Sequence, residues 1–148
     1  MDKYELRALV ENITARPGHM SAMGTRVLTV EPGHVHLAVD RRPDLLQFSG
    51  HFHGGVIAAL ADHAAGGAVT TALPPGRIAV TIDLHVNFLA PANGAVLNAK
   101  ARAVQAGSTI GVAQVDLSTN VNGTEKMCAV ALATLRVVEI KSAVNSGS

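Results

Sequence analysis

The segment Gly54–Leu73, GGVIAALADHAAGGAVTTAL, decides the fold of this chain. Almost all of its residues are Ala, Gly, Val, Ile or Leu. The predicted helix is therefore apolar on every side, which is typical of a helix enclosed by the rest of a protein. Its length approaches that of a membrane span, but Asp62 and His63 lie at its centre, where a charge costs about 2.5–3.5 kcal/mol in a bilayer. The segment predicts a long helix buried inside a soluble protein.

The residues on both sides of this helix alternate between apolar and polar, which indicates β-strands. A short helix is predicted over about Tyr4–Ile13, and Arg41–Phe52 is expected to be a loop. The predicted strands are Thr25–Val30 and Val35–Val39 before the long helix, and Ile78–Leu89, Ala95–Gln105, Ile110–Thr119 and Lys126–Val138 after it. Asn122-Gly123 is the strongest turn signal, because a type I′ turn needs positive φ at both central positions.

The composition fits one globular domain over residues 1–148, with a helix and linker in 1–20 and a frayed tail in 139–148. Aromatic residues make up only 3% of the chain and the formal net charge is +1, which argues against binding to single-stranded or duplex nucleic acid. Cys128 is the one cysteine, so no intrachain disulfide can form and a cytoplasmic location is expected. No signal peptide is recognisable at the N-terminus.

This order of elements predicts an α+β fold, in which a curved antiparallel sheet of about six strands wraps around the long central helix. One sheet covers only part of a helix that is apolar all round, and it leaves its two edge strands open. A second copy of the chain would cover both. Homodimerisation is therefore expected on physical grounds.

The start and the middle of the long helix carry the best candidates for chemistry. Gly54 and Gly55 lie at its N-terminus, where backbone N–H groups have no partner within the helix and could hold a developing oxyanion. Asp62 is a carboxylate on an otherwise apolar helix, where it needs a compensating partner. His53 and Asp62 are about 12–13 Å apart along the axis, too far to act on one carbonyl. The spacing predicts a composite site in which Asp62 of one subunit lies beside Gly55 of the other.

These residues resemble the hot-dog-fold thioesterases, and most of all the phenylacetate-degradation type of acyl-CoA thioesterase. The likeness rests on His53-Gly54-Gly55, on Asp62 nine positions after the histidine, and on Gln47 six positions before it. The strand Val80–Leu89, followed by Ala90-Pro91, is similar to that family's signature after the helix. The similarity covers about Met23 to Val138.

The resemblance implies a role for each matching residue. Asp62 would attack the thioester carbonyl or act as general base on a water, and the partner's Gly55 N–H would polarise that carbonyl. Gln47 would bind the thioester oxygen or the water, and His53 would stand near the thiolate leaving group. Thr81 falls where some members hold the attacking water.

The family acts on acyl-CoA without a cofactor and forms dimers with shared active sites, usually paired into tetramers. The resemblance fits an aryl or a medium- to long-chain acyl group. Further substrate contacts are assigned to Gly54, His63, Asp83 and His85. The cations that could hold the coenzyme A phosphates are Arg77, Lys100, Arg102 and Arg136.

Each of these residues also has a structural explanation. Asp62 could accept backbone N–H groups, the glycines could allow close packing, and His53 and Gln47 could order the loop. His63 fits a hydrogen-bonded core or interface histidine, and Asp83 and His85 could bond each other on one strand face. No carboxylate set completes a metal site with the loop histidines, so no metal is expected.

Two other functions remain open at this point. A hydroxyacyl thioester dehydratase would need a proline-rich approach to its catalytic histidine, which Gln47–Phe52 lacks. A non-catalytic acyl-CoA-binding protein of the same fold would not need both Asp62 and Gln47.

Overall fold

The N-terminal helix, α1, spans Lys3–Ala15 in a computed structural model that describes residues 1–140. Asp2 caps it: its carboxylate accepts the Glu5 N–H at 2.9 Å, and the Glu5 carboxylate accepts the Asp2 N–H at 2.8 Å. This capping box satisfies two backbone donors that have no partner within the helix. The periodicity of the apolar residues thus predicted this helix correctly.

The remaining elements follow the predicted order. They are the helices α2 (His19–Ala22) and α3 (Gly54–Ala72) and the strands β1 (Arg26–Glu31), β2 (His34–Asp40), β3 (Arg77–Phe88), β4 (Val96–Ala106), β5 (Ile110–Val121) and β6 (Thr124–Glu139). The predicted strands and long helix are confirmed to within a few residues at their ends. Helix α2 lies in the expected linker and was missed, because four residues are too few to show a helical period. The expected loop before α3 contains one short 3-10 helix, Pro43–Leu45.

The strands form one open antiparallel sheet in the order β1-β2-β4-β5-β6-β3, so that β1 and β3 are its edges. Helix α3 packs against β2, β3, β4, β5 and β6, which places it on the face around which the sheet curves. This is the expected α+β hot-dog architecture, and the prediction of the fold is confirmed.

Small side chains let α3 lie close to the sheet. Its residues Leu60, Ala61, Ala64, Ala65 and Ala68 are completely buried. The contact with β5 is so close that a Cβ at Gly111 would lie 2.5 Å from Val69. Within residues 1–140, no helix has the length and apolar character needed to cross a membrane.

The turn between β5 and β6 tests the prediction made from Asn122-Gly123, and the end of β6 tests the predicted start of the C-terminal tail. Asn122 and Gly123 both have positive φ, 52° and 79°, as a type I′ turn requires. Glu139, expected in the frayed tail, instead pairs with Arg77 at the end of β6. The remainder of that predicted tail, from 141 to 148, lies outside the described residues.

Candidate active site

Asp62, in the middle of α3, lines two neighbouring cavities of about 370 and 350 Å³. Its Oδ1 atom is buried and has no hydrogen-bond partner among the described residues. A buried carboxylate oxygen without a partner is rare in folded proteins, because it forfeits its hydration without replacing it. The structural alternative for Asp62, a carboxylate saturated by backbone N–H groups, is therefore not supported at Oδ1.

The larger cavity, called here the apolar cavity, lies between α1, α3 and β3. It is lined by Leu9, Val10 and Ile13 of α1, by Asp62, His63, Gly66, Gly67 and Thr70 of α3, and by Ile78, Ala79 and Thr81 of β3. Its volume falls in the range of ligand pockets, which begins at about 300 Å³. Thr81 and Asp62, far apart in sequence, thus line the same cavity.

His63 faces the end of α1. Its Nε2 lies 2.9 Å from Thr14 Oγ1, and Thr14 Oγ1 lies 2.7 Å from the Val10 carbonyl oxygen. Because the hydroxyl donates to that carbonyl, it accepts from His63, whose proton is therefore on Nε2. Burial lowers the pKa of His63, and the neighbouring Asp62 carboxylate opposes that shift. His63 is accordingly neutral at pH 7 and couples α1 to the centre of α3.

The first turn of α3 has two unequal glycine N–H groups. His53 is the N-cap, and its Nδ1 accepts the Gly55 N–H at 2.9 Å. The Gly54 N–H has no hydrogen-bond partner among the described residues. The resemblance assigned the oxyanion donor to the Gly55 N–H, but in this structure that N–H is bonded to His53. The Gly54 N–H is available instead.

Gln47 has a defined orientation. Its Oε1 accepts both the backbone N–H and the hydroxyl of Ser49, each at 2.6 Å. Because the backbone N–H can only donate, the amide oxygen must face Ser49, and the Nε2 hydrogens point elsewhere. Among the described residues this NH₂ group has no partner, so it can donate to a ligand.

Gln47 and Gly54 line a third cavity of about 360 Å³, together with His51, Phe88 and Pro91 among others. Asp62 does not line this cavity. Gly54 and Asp62 are eight residues apart on one helix, about 12 Å along the axis. Within one protomer the structure therefore does not bring the carboxylate together with the free donors.

The other residues assigned to substrate binding lie away from these cavities, apart from Gly54 and His63. Asp83 and His85 are exposed on β3, and no hydrogen bond joins them. His85 lines a shallow depression of about 210 Å³ with Asn87, Gln114 and Leu132.

The cations considered for the coenzyme A phosphates are mostly engaged with neighbours. Arg77 lies 3.7 Å from Glu139, Lys100 lies 3.4 Å from Glu125, and Arg102 donates to Gln114 at 3.2 Å. Arg136 is exposed on β6. Across residues 1–140, no group of three His, Cys, Asp or Glu side chains is placed to hold a metal ion.

Three residues at the site were missed from sequence. Ser49 orients Gln47, and its only signal is a hydroxyl two positions after the amide, a common turn arrangement. Thr14 continues the buried face of α1 one turn after Val10, where a hydroxyl usually bonds its own helix. His51, one of the loop histidines weighed above only for a metal site, has a buried Nδ1 without a partner among the described residues and lines the same cavity as Gln47.

A six-stranded antiparallel sheet around one long central helix is the hot-dog architecture. The family model of the thioesterase superfamily matches residues 49–126. The chain belongs to the thioesterase superfamily, and the resemblance inferred from the motif around His53 and Asp62 is confirmed.

Known relatives agree with this family. A candidate esterase of Halobacterium salinarum is 36% identical over 123 residues, which cover 80% of this chain and 81% of that protein. The 1,4-dihydroxy-2-naphthoyl-CoA hydrolase of Listeria monocytogenes is 26% identical, over 81% of this chain and 95% of its own length.

Solved structures have the same architecture. A thioesterase family protein from Silicibacter pomeroyi superposes with a TM-score of 0.86 at 30% identity, over 90% of this chain and 98% of that one. The PaaI protein from the phenylacetic acid degradation operon of E. coli has a TM-score of 0.80 over 92% and 95% of the two chains. At 20% identity, the PaaI likeness shows the fold alone.

Proposed function

We propose that this protein hydrolyses an acyl-CoA thioester to the free acid and coenzyme A. The observation that carries the proposal is the buried Oδ1 of Asp62, which has no partner and borders the apolar cavity. A carboxylate in that position can act on a carbonyl whose acyl group occupies the cavity. The family and the naphthoyl-CoA hydrolase among the relatives support a thioester substrate of coenzyme A.

In the general-base form of the reaction, Asp62 takes a proton from a water whose oxygen bonds to the thioester carbonyl carbon. Thr81, in the same cavity, holds that water. The tetrahedral intermediate collapses as the carbon–sulfur bond breaks, and the thiolate leaves with the proton. In the nucleophilic form, the Asp62 oxygen itself bonds to the carbon and the carbon–sulfur bond breaks, so that coenzyme A leaves as the thiolate. Water then cleaves the resulting anhydride, and a proton from that water neutralises the thiolate.

The negative charge on the carbonyl oxygen needs donors that are already in place. The Gly54 N–H and the Gln47 NH₂ group are free and line one cavity, so we assign the oxyanion site to them. This revises the expected role of Gly55, whose N–H is held by His53. His53 keeps the role that the resemblance implies: its Nε2 atom faces the thiolate leaving group.

Asp62 and Gly54 meet only if two protomers combine, so the proposal includes a homodimer with two shared sites. Strand β3 is a sheet edge, and its residues Val80, Ile82 and Phe88 are about half exposed, at 49%, 60% and 57%. An open edge strand with apolar side chains is normally protected in folded proteins. Pairing through this edge would protect it. A dimer of dimers and a cytoplasmic location stay predictions.

The test is release of free thiol from a panel of aryl-CoA and acetyl- to dodecanoyl-CoA substrates. Asp62→Asn is expected to lower kcat by about 10²–10⁴-fold, as loss of a general base does. Asp116→Asn, a change at an exposed carboxylate on β5, is the matched control and keeps full activity. Unimpaired turnover by Asp62→Asn would refute the role of Asp62.

Two other outcomes would identify a different function. Tight binding of acyl-CoA without thiol release would identify a non-catalytic binder, and hydration of crotonyl-CoA would identify a dehydratase.

A further inference from the structure

Helix α1 forms one wall of the apolar cavity. Leu9, Val10 and Ile13 face it, whereas Asp62 marks the end where the reaction would occur. The opposite wall runs along α3 from Asp62 past Gly66 to Thr70, about 12 Å at the rise of an α-helix. A two-carbon acyl group beside Asp62 would stay near one end of this cavity, and an eight-carbon group would extend past Gly66 along α1.

Besides an exposed ion pair between Lys3 and Glu31, 3.7 Å apart, side-chain hydrogen bonds hold helix α1 to the rest of the protein at two places. In its first half, Arg7 donates to the carbonyl oxygens of Val27 and Leu28 on β1, both at 3.0 Å. In its last turn, Thr14 accepts from His63 at 2.9 Å. Among residues 1–140, this is the one side-chain hydrogen bond between α1 and α3. It joins the last turn of α1 to the residue that follows Asp62 and lines the same cavity.

The bond between Thr14 and His63 is protected. Thr14 is 3% exposed, and its hydroxyl hydrogen is used by the Val10 carbonyl, so only the acceptor side remains for His63. His63 is in turn the residue after Asp62. A shift of α1 away from α3 would break this bond and widen the cavity next to the carboxylate.

From this arrangement we infer that α1, held in place by the hydrogen bond between Thr14 and His63, is the wall that selects the acyl group. Binding of medium-length acyl chains depends on this hydrogen bond, whereas binding of an acetyl group does not. The inference rests on the proposed function for its substrate. Thr14 and His63 are positioning residues in it, because they act through Leu9, Val10 and Ile13. Contact between the acyl chain of the substrate and a fixed wall stabilises the ground state and the transition state equally. Loss of this contact therefore raises KM and leaves kcat unchanged.

The experiment compares Thr14→Val, which has nearly the same shape and no hydroxyl, with Thr14→Ser, which keeps the hydroxyl. We expect Thr14→Val to raise KM for octanoyl-CoA about tenfold, the effect of one lost buried hydrogen bond, with kcat and all constants for acetyl-CoA unchanged. Thr14→Ser is expected to have the same KM and kcat as the wild-type protein. An equal loss for both substrates, or no change for either, would overturn the inference.

A second measurement separates this inference from the proposed function, because it needs no turnover. Amide hydrogen exchange of residues 3–15 is followed in the wild-type protein with octanoate or acetate as the probe. Octanoate is expected to slow exchange in α1, acetate is not, and Thr14→Val abolishes the difference. Equal exchange with both acids overturns the role of α1 even if the protein cleaves acyl-CoA. Absence of thiol release together with octanoate protection refutes the enzyme activity and leaves the wall in place.

Discussion

His53 and Gly55 are joined by a hydrogen bond in which the Gly55 N–H donates to the imidazole Nδ1 at 2.9 Å. The bond caps α3, and because Nδ1 is the acceptor in it, Nε2 is the ring nitrogen left to donate. The Gly55 N–H is therefore not available to stabilise an oxyanion. The oxyanion donor we assign is therefore the Gly54 N–H, and the distinction can be tested by substitution.

Gly54→Pro removes this N–H with little expected damage to the helix. Gly54 is the first residue of α3, where proline is favoured, and His53 already has the extended ψ of 139° that a residue before proline adopts. We expect kcat to fall about 10²–10³-fold, as on loss of one oxyanion donor. Steady-state kinetics with the best substrate of the panel measures the effect.

Gly54→Ala is the matched control for this substitution. Its Cβ would approach the ring of Phe88 to 3.3 Å, a contact that the exposed side chain can relieve, and its N–H is retained. Gly54→Ala should keep most of the activity. If alanine is as damaging as proline, the side chain rather than the missing N–H is responsible, and the assignment to Gly54 is wrong.

The shared site predicts complementation between two inactive variants. A heterodimer of Asp62→Asn and Gly54→Pro protomers contains one site with both defects and one site with neither. Random mixing of equal amounts makes half of the dimers heterodimers, so about a quarter of wild-type activity returns. Thiol release after co-refolding of the two variants checks this.

Each variant refolded alone is the control, and it stays inactive. If the mixture has no more activity than the two variants separately, while size measurements show that the dimers have exchanged, then Asp62 and Gly54 act within one protomer. That result would contradict the composite site.

His63 predicts a pH dependence of stability. Burial lowers the pKa of His63 in the folded protein below its ordinary value of 6.5, so the unfolded chain binds the proton more tightly. The free energy of unfolding therefore falls as the pH is lowered from about 6.5 through the folded-state pKa. Urea denaturation between pH 5 and pH 8 measures this trend.

The reference for that trend is His63→Gln, which keeps a nitrogen donor for Thr14 but does not titrate. Arg16, His19 and Asp62 line the cavity beside His63 and are present in both proteins. The difference in unfolding free energy between wild type and variant should shrink towards acid pH. A difference that is constant with pH would show that His63 titrates alike in the folded and unfolded chain.

Cys128 is predicted to be unreactive in the folded protein. It is 1% exposed, and burial raises the pKa of its thiol to about 11, so almost no thiolate is present at pH 8. Native protein should not react with an aromatic disulfide reagent, and protein unfolded in guanidinium should titrate one thiol. Rapid reaction of the native protein would show that the β6 strand around Cys128 opens.

The helix and the strands could be predicted because their signals are local. The apolar stretch around Asp62 predicts a buried helix with a carboxylate at its centre, and Asn122-Gly123 predicts a turn, since both signals depend on neighbouring residues only. The family motif around His53 follows for the same reason. Element ends shifted by a few residues, and α2 was missed for want of length.

The details of the site depend on residues that are distant in sequence. Thr14 and His63 are 49 positions apart, and nothing near Thr14 indicates its partner. Thr81 joins Asp62 in one cavity only because β3 returns along α3. Even at short range, the motif could not show whether Gly54 or Gly55 has the free N–H, since that depends on which way the His53 ring turns.

Residue order alone thus established a buried helix, a six-stranded sheet, the family and the carboxylate at the helix centre, because periodicity and turn chemistry are properties of short stretches. The folded chain was needed to show the free Gly54 donor, the orientation of Gln47 by Ser49 and the wall formed by α1. These features arise from packing between separate elements, and hydrogen-bond geometry over a few ångströms has no counterpart in the spacing of residues along a chain.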